Sequence, residues 1–161
     1  MLTSRYDEAF RYAHELHRTQ TRKGTAISYI AHLMTVSALV AEHGGNEDQA
    51  IGALLHDAAE DQGGEATLNE IRARFGDAVA EIVSDCTDSW DEPKPEWRPR
   101  KEAYLAKLPA KPTRSLLVSL GTRRTTLKPF FSITAFCPLG AVQRRRRWHQ
   151  MVLRVIGQYF L

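Results

Sequence analysis

His56 and Asp57 stand side by side at the end of an apolar run, Ala-Ile-Gly-Ala-Leu-Leu (50–55), and Glu60 and Asp61 follow within a turn of helix. Leaving four ionisable groups buried and unpaired at the end of a core segment is costly, so their presence there calls for a chemical reason. One imidazole next to one carboxylate is a ligand set that suits a divalent cation such as Mn, Fe or Zn. Glu60 lies three positions from Asp57 and four from His56, which on a helix puts all three on one side. A carboxylate beside a water activated by such a cation is what metal-assisted hydrolysis needs as a base. The stretch reads as an active site.

Other segments could converge on it. His32 falls one turn inside the helix expected from Tyr29, in Tyr-Ile-Ala-His (29–32). A lone helical histidine is more often a satisfied structural residue, but the His-Asp pair ending a partner helix favours a ligand here. Arg22 and Lys23, in a loop with Gly24, could grip phosphate or stack on a base; the plainer reading is a solvated basic loop. Arg98, Arg100 and Lys101 form a second basic group with the same two readings. His14 and His17 read as structural or surface residues.

The elements that must position these groups are helical. Tyr6, Ala9, Phe10, Ala13, Leu16 and His17 recur at helical spacing over 4–18. A polar loop from Thr19 to Ser28 leads to a helix over Tyr29–His43, with Ile30, Leu33, Met34, Val36 and Val40 as its core contacts and Gly44-Gly45 as its stop. Asn46 is a good N-cap for the helix carrying His56, and Glu47 and Asp48 suit its positive end. After the turn at Gln62-Gly63-Gly64, Thr67 with Glu70 has the form of a capping box opening a short helix through Leu68, Ile71 and Phe75. Asp77 reads as the cap of the next, which buries Val79, Ile82 and Val83. Residues 89–97 form a Pro- and Trp-bearing loop, and a helix over about 98–108 ends at Pro109. Nothing in the first 110 residues alternates like a strand.

At 161 residues and 43% hydrophobic content the chain fits one soluble domain and is short for two. It has no apolar run of about 18 residues, so no membrane span is expected. The polar start argues against a secretory signal. Cys86 and Cys137 sit in no Cys-x-x-Cys pattern and read as free thiols of a cytoplasmic protein. Charge divides the chain: residues 1–110 hold 12 Lys/Arg and all 19 Asp/Glu, a balance of −7, whereas residues 111–161 hold 10 Lys/Arg and no acid. Such a break is unusual within one domain.

Three blocks together carry a family resemblance: Arg-Lys-Gly-Thr-x-Ile-Ser-Tyr-Ile-Ala-His (22–32), Ala-Leu-Leu-His-Asp-Ala-Ala-Glu-Asp (53–61) and Arg-Phe-Gly-Asp-x-Val (74–79). They resemble the HD-domain phosphohydrolases, in particular the (p)ppGpp hydrolase domain of the RelA/SpoT proteins and their small stand-alone relatives. Trp-Arg-Pro-Arg-Lys-Glu-Ala-Tyr-Leu (97–105) is similar to the same branch, and the likeness covers about residues 5–120. It implies an all-α HD-domain bundle in which His32, His56 and Asp57 hold a divalent metal, typically Mn2+. Glu60 and Asp61 would position and activate the attacking water, with Arg22, Lys23, Arg100 and Lys101 on the substrate. The implied reaction removes the 3′-pyrophosphate of guanosine tetra- or pentaphosphate; the alternatives are another nucleotide such as NADPH, or a silent protein that binds a nucleotide or partner in the same pocket. A small-molecule nucleotide is the expected partner, with no membrane or nucleic acid, and a homo-oligomer is left open.

The likeness breaks in the later helix. There the family places an Asp ligand within a motif like Leu-Ala-Asp-Lys-x-His-Asn, but after Leu120 this chain runs Gly-Thr-Arg-Arg-Thr-Thr (121–126). Two parts are therefore expected: an HD domain over 1–120 and an aberrant basic tail over 121–161, open to disorder. The tail reads as a shifted frame. Codons for Thr122 to Cys137 read from their third base permit Glu-Thr-His-Asn-Ala-Glu-Ala-Ile-Leu-Leu-Asp-Tyr-Arg-Val-Leu, whose Thr-His-Asn-Ala and Ala-Ile-Leu-Leu-Asp-Tyr-Arg resemble what the family has here. The rival reading is a basic extension for RNA or an acidic membrane, against which Pro129, Pro138 and Gly140 interrupt any helix.

Overall fold

Apolar side chains spaced three and four apart can bury one face only by coiling, and the computed structural model is helical accordingly. It describes residues 1–88, 90, 96–107 and 110–126. These lie in the first of two units, Met1–Thr125, except Thr126, which opens the second, Thr126–Leu161. The expected basic tail thus lies outside the described residues from 127 onward, as do Cys137 and most of the expected loop over 89–97.

The helices are α1 (Ser4–Leu16), α2 (Ile30–Glu42), α3 (Glu47–Leu55), α4 (Ala58–Asp61), α5 (Gly64–Phe75), α6 (Asp77–Cys86), α7 (Trp97–Lys107) and α8 (Thr113–Thr126). Asn46 caps α3 in a full capping box with Gln49. Helix α3 does not run on through the ionisable groups: the chain turns at His56 and Asp57 and resumes as the single turn of α4.

Two expected caps are displaced. Gly63 and Gly64, both at positive φ, start α5 at once, so Thr67 lies inside the helix and its hydroxyl donates to the Gln62 carbonyl at 2.8 Å. Gly76, at φ +87°, takes the N-cap of α6, and Asp77 becomes its first residue, paired with Arg72 at 3.2 Å. Met34 is 47% exposed rather than in the core, because α2 turns Leu33, Val36, Ser37 and Val40 inward. The 19–28 segment is a loop pinned by one bridge, Thr21 to Ser28, and by Arg22 N–H donating to the Ile27 carbonyl at 2.9 Å. No described helix is long and apolar enough to cross a membrane.

One apolar cluster joins α1, α2, α3, α5 and α6 through Ala13, Leu33, Leu54, Ile71, Phe75 and Val79. A second, of Val36, Val40, Ala53, Ile82 and Val118, fastens α8 to the bundle. Helices α3 and α6 cross closely at Gly52, where an added Cβ would sit 2.6 Å from Ile82 Cγ2 and 3.1 Å from its Cβ. Gly52→Ala is therefore expected to destabilise the fold by roughly 1–3 kcal/mol, the usual cost of overpacking. A fall in the midpoint of thermal unfolding checks this; an unchanged midpoint means that Ile82 gives way freely.

Cys86 is a free thiol 3.7 Å from the Ser119 hydroxyl. Burial pushes its pKa up to about 12, so thiolate, the reactive form, is scarce at neutral pH. Iodoacetamide at pH 8 should label Cys86 far more slowly in the native protein than in urea, as read by peptide mass spectrometry. Equal rates would show that its surroundings do not raise the thiol's pKa.

Candidate metal centre

The break between α3 and α4 and the first turn of α2 meet in space. His32, from α2, and the adjacent His56 and Asp57, at the break, offer one ligand atom each, all within 4.8 Å of one another. His56 Nε2 is 2.9 Å and His32 Nε2 3.7 Å from the same Asp57 oxygen, Oδ2. Both imidazoles are almost wholly buried, while the Asp57 side chain keeps 19% exposure, so the cluster is approached from the carboxylate.

Proton placement decides what this cluster can hold. His56 Nδ1 lies 2.8 Å from the Ala53 carbonyl, which only accepts, so the ring proton sits on Nδ1. Nε2 is left buried with no hydrogen-bond partner, 2.9 Å from Asp57 Oδ2. A lone pair and a carboxylate oxygen repel each other at 2.9 Å unless a positive charge lies between them. Burial works against charging His56, but the Asp57 carboxylate outweighs it and raises the His56 pKa. Burial likewise opposes ionising Asp57, and the charge of His56 together with the Tyr29 hydroxyl holds it well below the usual carboxylate range. His32 is pushed down to about 3 by burial and then by the charge of His56, so it stays neutral, as a metal ligand must. Two imidazole nitrogens and one carboxylate oxygen, with one nitrogen orphaned, fit a divalent cation.

A second ring of contacts holds the cluster. The Tyr29 hydroxyl donates to Asp57 Oδ2 at 2.6 Å, and burial followed by the Asp57 charge raises its pKa, keeping the donor protonated. Tyr29 stacks on His17 at 5.3 Å. His17, only 1% exposed, shares its Nδ1 proton with Gln20 Oε1 at 2.6 Å, and Gln20 Nε2 donates to Asp61 Oδ2 at 2.9 Å. Sequence alone marks Tyr29 only as a helix start and gives no role to Gln20, while His17, expected as a structural or surface residue, is buried. The spacings Tyr29–His32 and His17–Gln20, three apart each, were the available signal.

The remaining candidates are placed unevenly. Glu60 Oε2 accepts the Asp88 backbone N–H at 3.0 Å. Arg22 is half-buried, and its charge is felt at both Tyr29 and His32. Lys23 is exposed on the same loop. Arg98 pairs with Glu102 at 3.1 Å. Arg100 and Lys101 belong to α7 by backbone, but their side chains lie outside the described residues.

Residues 9–134 match the sequence profile of the HD domain family, which covers more than half of the chain. The chain belongs to the HD-domain family. Membership implies a divalent metal, for which His32, His56 and Asp57 are the candidate site. This HD-domain chain is 35% identical over 124 residues to guanosine-3′,5′-bis(diphosphate) 3′-pyrophosphohydrolase MESH1 of Xenopus tropicalis, covering 75% of this chain and 66% of that one. The Homo sapiens protein of the same name is 32% identical over the same shares. Guanosine-3′,5′-bis(diphosphate) 3′-pyrophosphohydrolase of Aquifex aeolicus is 42% identical over 79 residues, 49% of this chain and 11% of the relative. The chain thus spans just under two thirds of the animal relatives and about a tenth of the bacterial one. A solved structure of a metazoan ortholog of SpoT superposes with a TM-score of 0.73 at 24% identity, over 98% of this chain and 86% of that one. A Listeria monocytogenes structure gives 0.56 at 24% identity, over 85% and 87%. These two likenesses establish the helical HD-type fold.

Proposed function

We propose that this chain is a Mn2+-dependent pyrophosphohydrolase that removes the 3′-pyrophosphate of guanosine 3′,5′-bis(diphosphate). One observation carries the reading: the cluster of His32, His56 and Asp57, with ligand atoms within 4.8 Å, in a chain 35% identical over 75% of its length to a relative named for that reaction. When bound, the cation supplies positive charge that polarises a phosphoryl oxygen and eases loss of a proton from water. His32, His56 and Asp57 hold it.

Glu60 and Asp61 orient the attacking water and take its proton. Their restraint supports that role, since Asp61 is tied to Gln20 and Glu60 to the Asp88 N–H, which limits the motion to be stilled during attack. Arg22 and Lys23 lie along the nucleotide and offset its phosphate charge, and Arg100 and Lys101 do so from α7. Phosphoryl transfer asks little covalent chemistry of a protein, so positioning and charge are most of its contribution.

A catalytically silent nucleotide-binding protein is the second reading. The observation favouring it is Thr122, which stands on α8 where the resembled motif has an Asp. Pyrophosphate release from guanosine 3′,5′-bis(diphosphate) with added Mn2+ decides between them. The hydrolase releases pyrophosphate and purifies with stoichiometric metal. No release at any Mn2+ concentration sinks the first reading, and phosphate released from NADPH instead would redirect the substrate.

A further inference from the structure

Reading His32 as a ligand through Nε2 leaves its other nitrogen to be explained. Nδ1 lies 2.9 Å from the Thr125 hydroxyl, in a buried contact that spans 93 residues of sequence. The same hydroxyl donates its hydrogen to the Thr122 carbonyl at 2.8 Å, within the last turns of α8. A hydroxyl has one hydrogen to give. With it committed to Thr122, the Thr125 oxygen faces His32 as an acceptor, so the ring proton rests on Nδ1 and Nε2 keeps its lone pair toward Asp57. His56 likewise turns its Nδ1 to an acceptor, the Ala53 carbonyl.

We propose that Thr125 is the positioning residue that fixes His32 as its metal-presenting tautomer, without itself touching the cation. The proposal rests on the ligand reading of His32. Packing brings the hydroxyl to its place. Val118 is in the cluster that fastens α8, and Gly121 lets the helix close on α2: a Cβ there would meet Val36 Cγ1 at 3.2 Å and Val40 Cγ2 at 3.6 Å. One turn further along, Thr125 is 7% exposed against His32. Hydrogen-bond partners of metal-binding histidines set ring orientation and ligand basicity. Thr125 supplies one from the stretch that departs from the resemblance, so residues beyond 120 belong to the site.

The test uses the full-length chain with 15N-labelled histidine. Two-bond 1H–15N spectra without metal should show wild-type His32 protonated on Nδ1, and Thr125→Ser should keep that pattern. Thr125→Val should mix the tautomers and weaken Mn2+ binding by about 10- to 100-fold, read by calorimetry. Wild-type His32 protonated on Nε2 overturns the proposal, as does a folded Thr125→Val with unchanged spectrum and affinity. Should Thr125→Val fail to fold, the wild-type and Thr125→Ser spectra still decide. A wild type with the expected tautomer but no Mn2+ binding overturns the ligand reading instead, and leaves the hydrogen bond standing.

Discussion

His56→Ala should remove stoichiometric Mn2+ binding and lower hydrolysis of guanosine 3′,5′-bis(diphosphate) by roughly a thousandfold or more, about 4 kcal/mol of transition-state stabilisation. The size follows from where His56 sits. Its Nε2 is buried with no hydrogen-bond partner, 2.9 Å from the carboxylate it would share with a cation. Alanine leaves two ligands, too few to hold a catalytic metal that ordinarily has three from the protein. A buried histidine also fills space, so a cavity could lower activity by loosening the fold. Thermal unfolding separates the two causes. Metal that binds only the folded state raises the wild-type midpoint, and His56→Ala should show no such rise whatever its own midpoint. A variant that keeps both turnover and the Mn2+-dependent rise shows that the reaction happens elsewhere.

The bundle was legible because its signals are local. Asn46 has its capping partner three residues away, and the apolar positions of α1, α2 and α6 repeat at the helical period. Where glycine intervened, local reasoning failed. The positive φ values at Gly63, Gly64 and Gly76 shifted two helix starts away from Thr67 and Asp77, residues that otherwise cap well. The break of α3 at His56 was also hidden, since Leu-Leu-His-Asp-Ala-Ala has helical composition throughout. That break matters to the site, because His56 and Asp57 stand at it.

At the candidate site, residue types pointed to groups that lie far apart in sequence. His32, His56 and Asp57 do converge, as chemistry and family likeness both led one to expect. The supporting contacts were harder to read. Tyr29, His17 and Gln20 form a chain between Asp57 and Asp61 whose links join residues up to 41 positions apart. Thr125 meets His32 across 93 positions and resembles any other threonine in a basic stretch. Only the docking of α8 on α2 brings its hydroxyl within 2.9 Å of His32 Nδ1.

That docking also makes Thr122→Asp an expected gain. Thr122 lies three residues before Thr125, hence on the same side of α8 as the hydroxyl that reaches His32. Its own hydroxyl donates to the Val118 carbonyl at 3.2 Å, a bond that the exchange gives up at a cost of about 1 kcal/mol. Three protein donors, two of them neutral, leave a divalent cation poorly compensated. A second carboxylate from α8 brings a formal negative charge and a fourth donor, so Mn2+ affinity should rise at least about tenfold, or about 1.4 kcal/mol. Without metal the sign reverses. A new carboxylate near Asp57 repels it, and the metal-free variant should unfold at a lower temperature than the wild type. Calorimetry and thermal unfolding, each with and without Mn2+, read both halves. Tighter metal together with a less stable metal-free protein marks position 122 as facing the cation, and turnover that rises in parallel identifies the missing carboxylate as what limits this chain. Unchanged affinity places Thr122 away from the metal and leaves the three-ligand set as the whole of the protein's contribution.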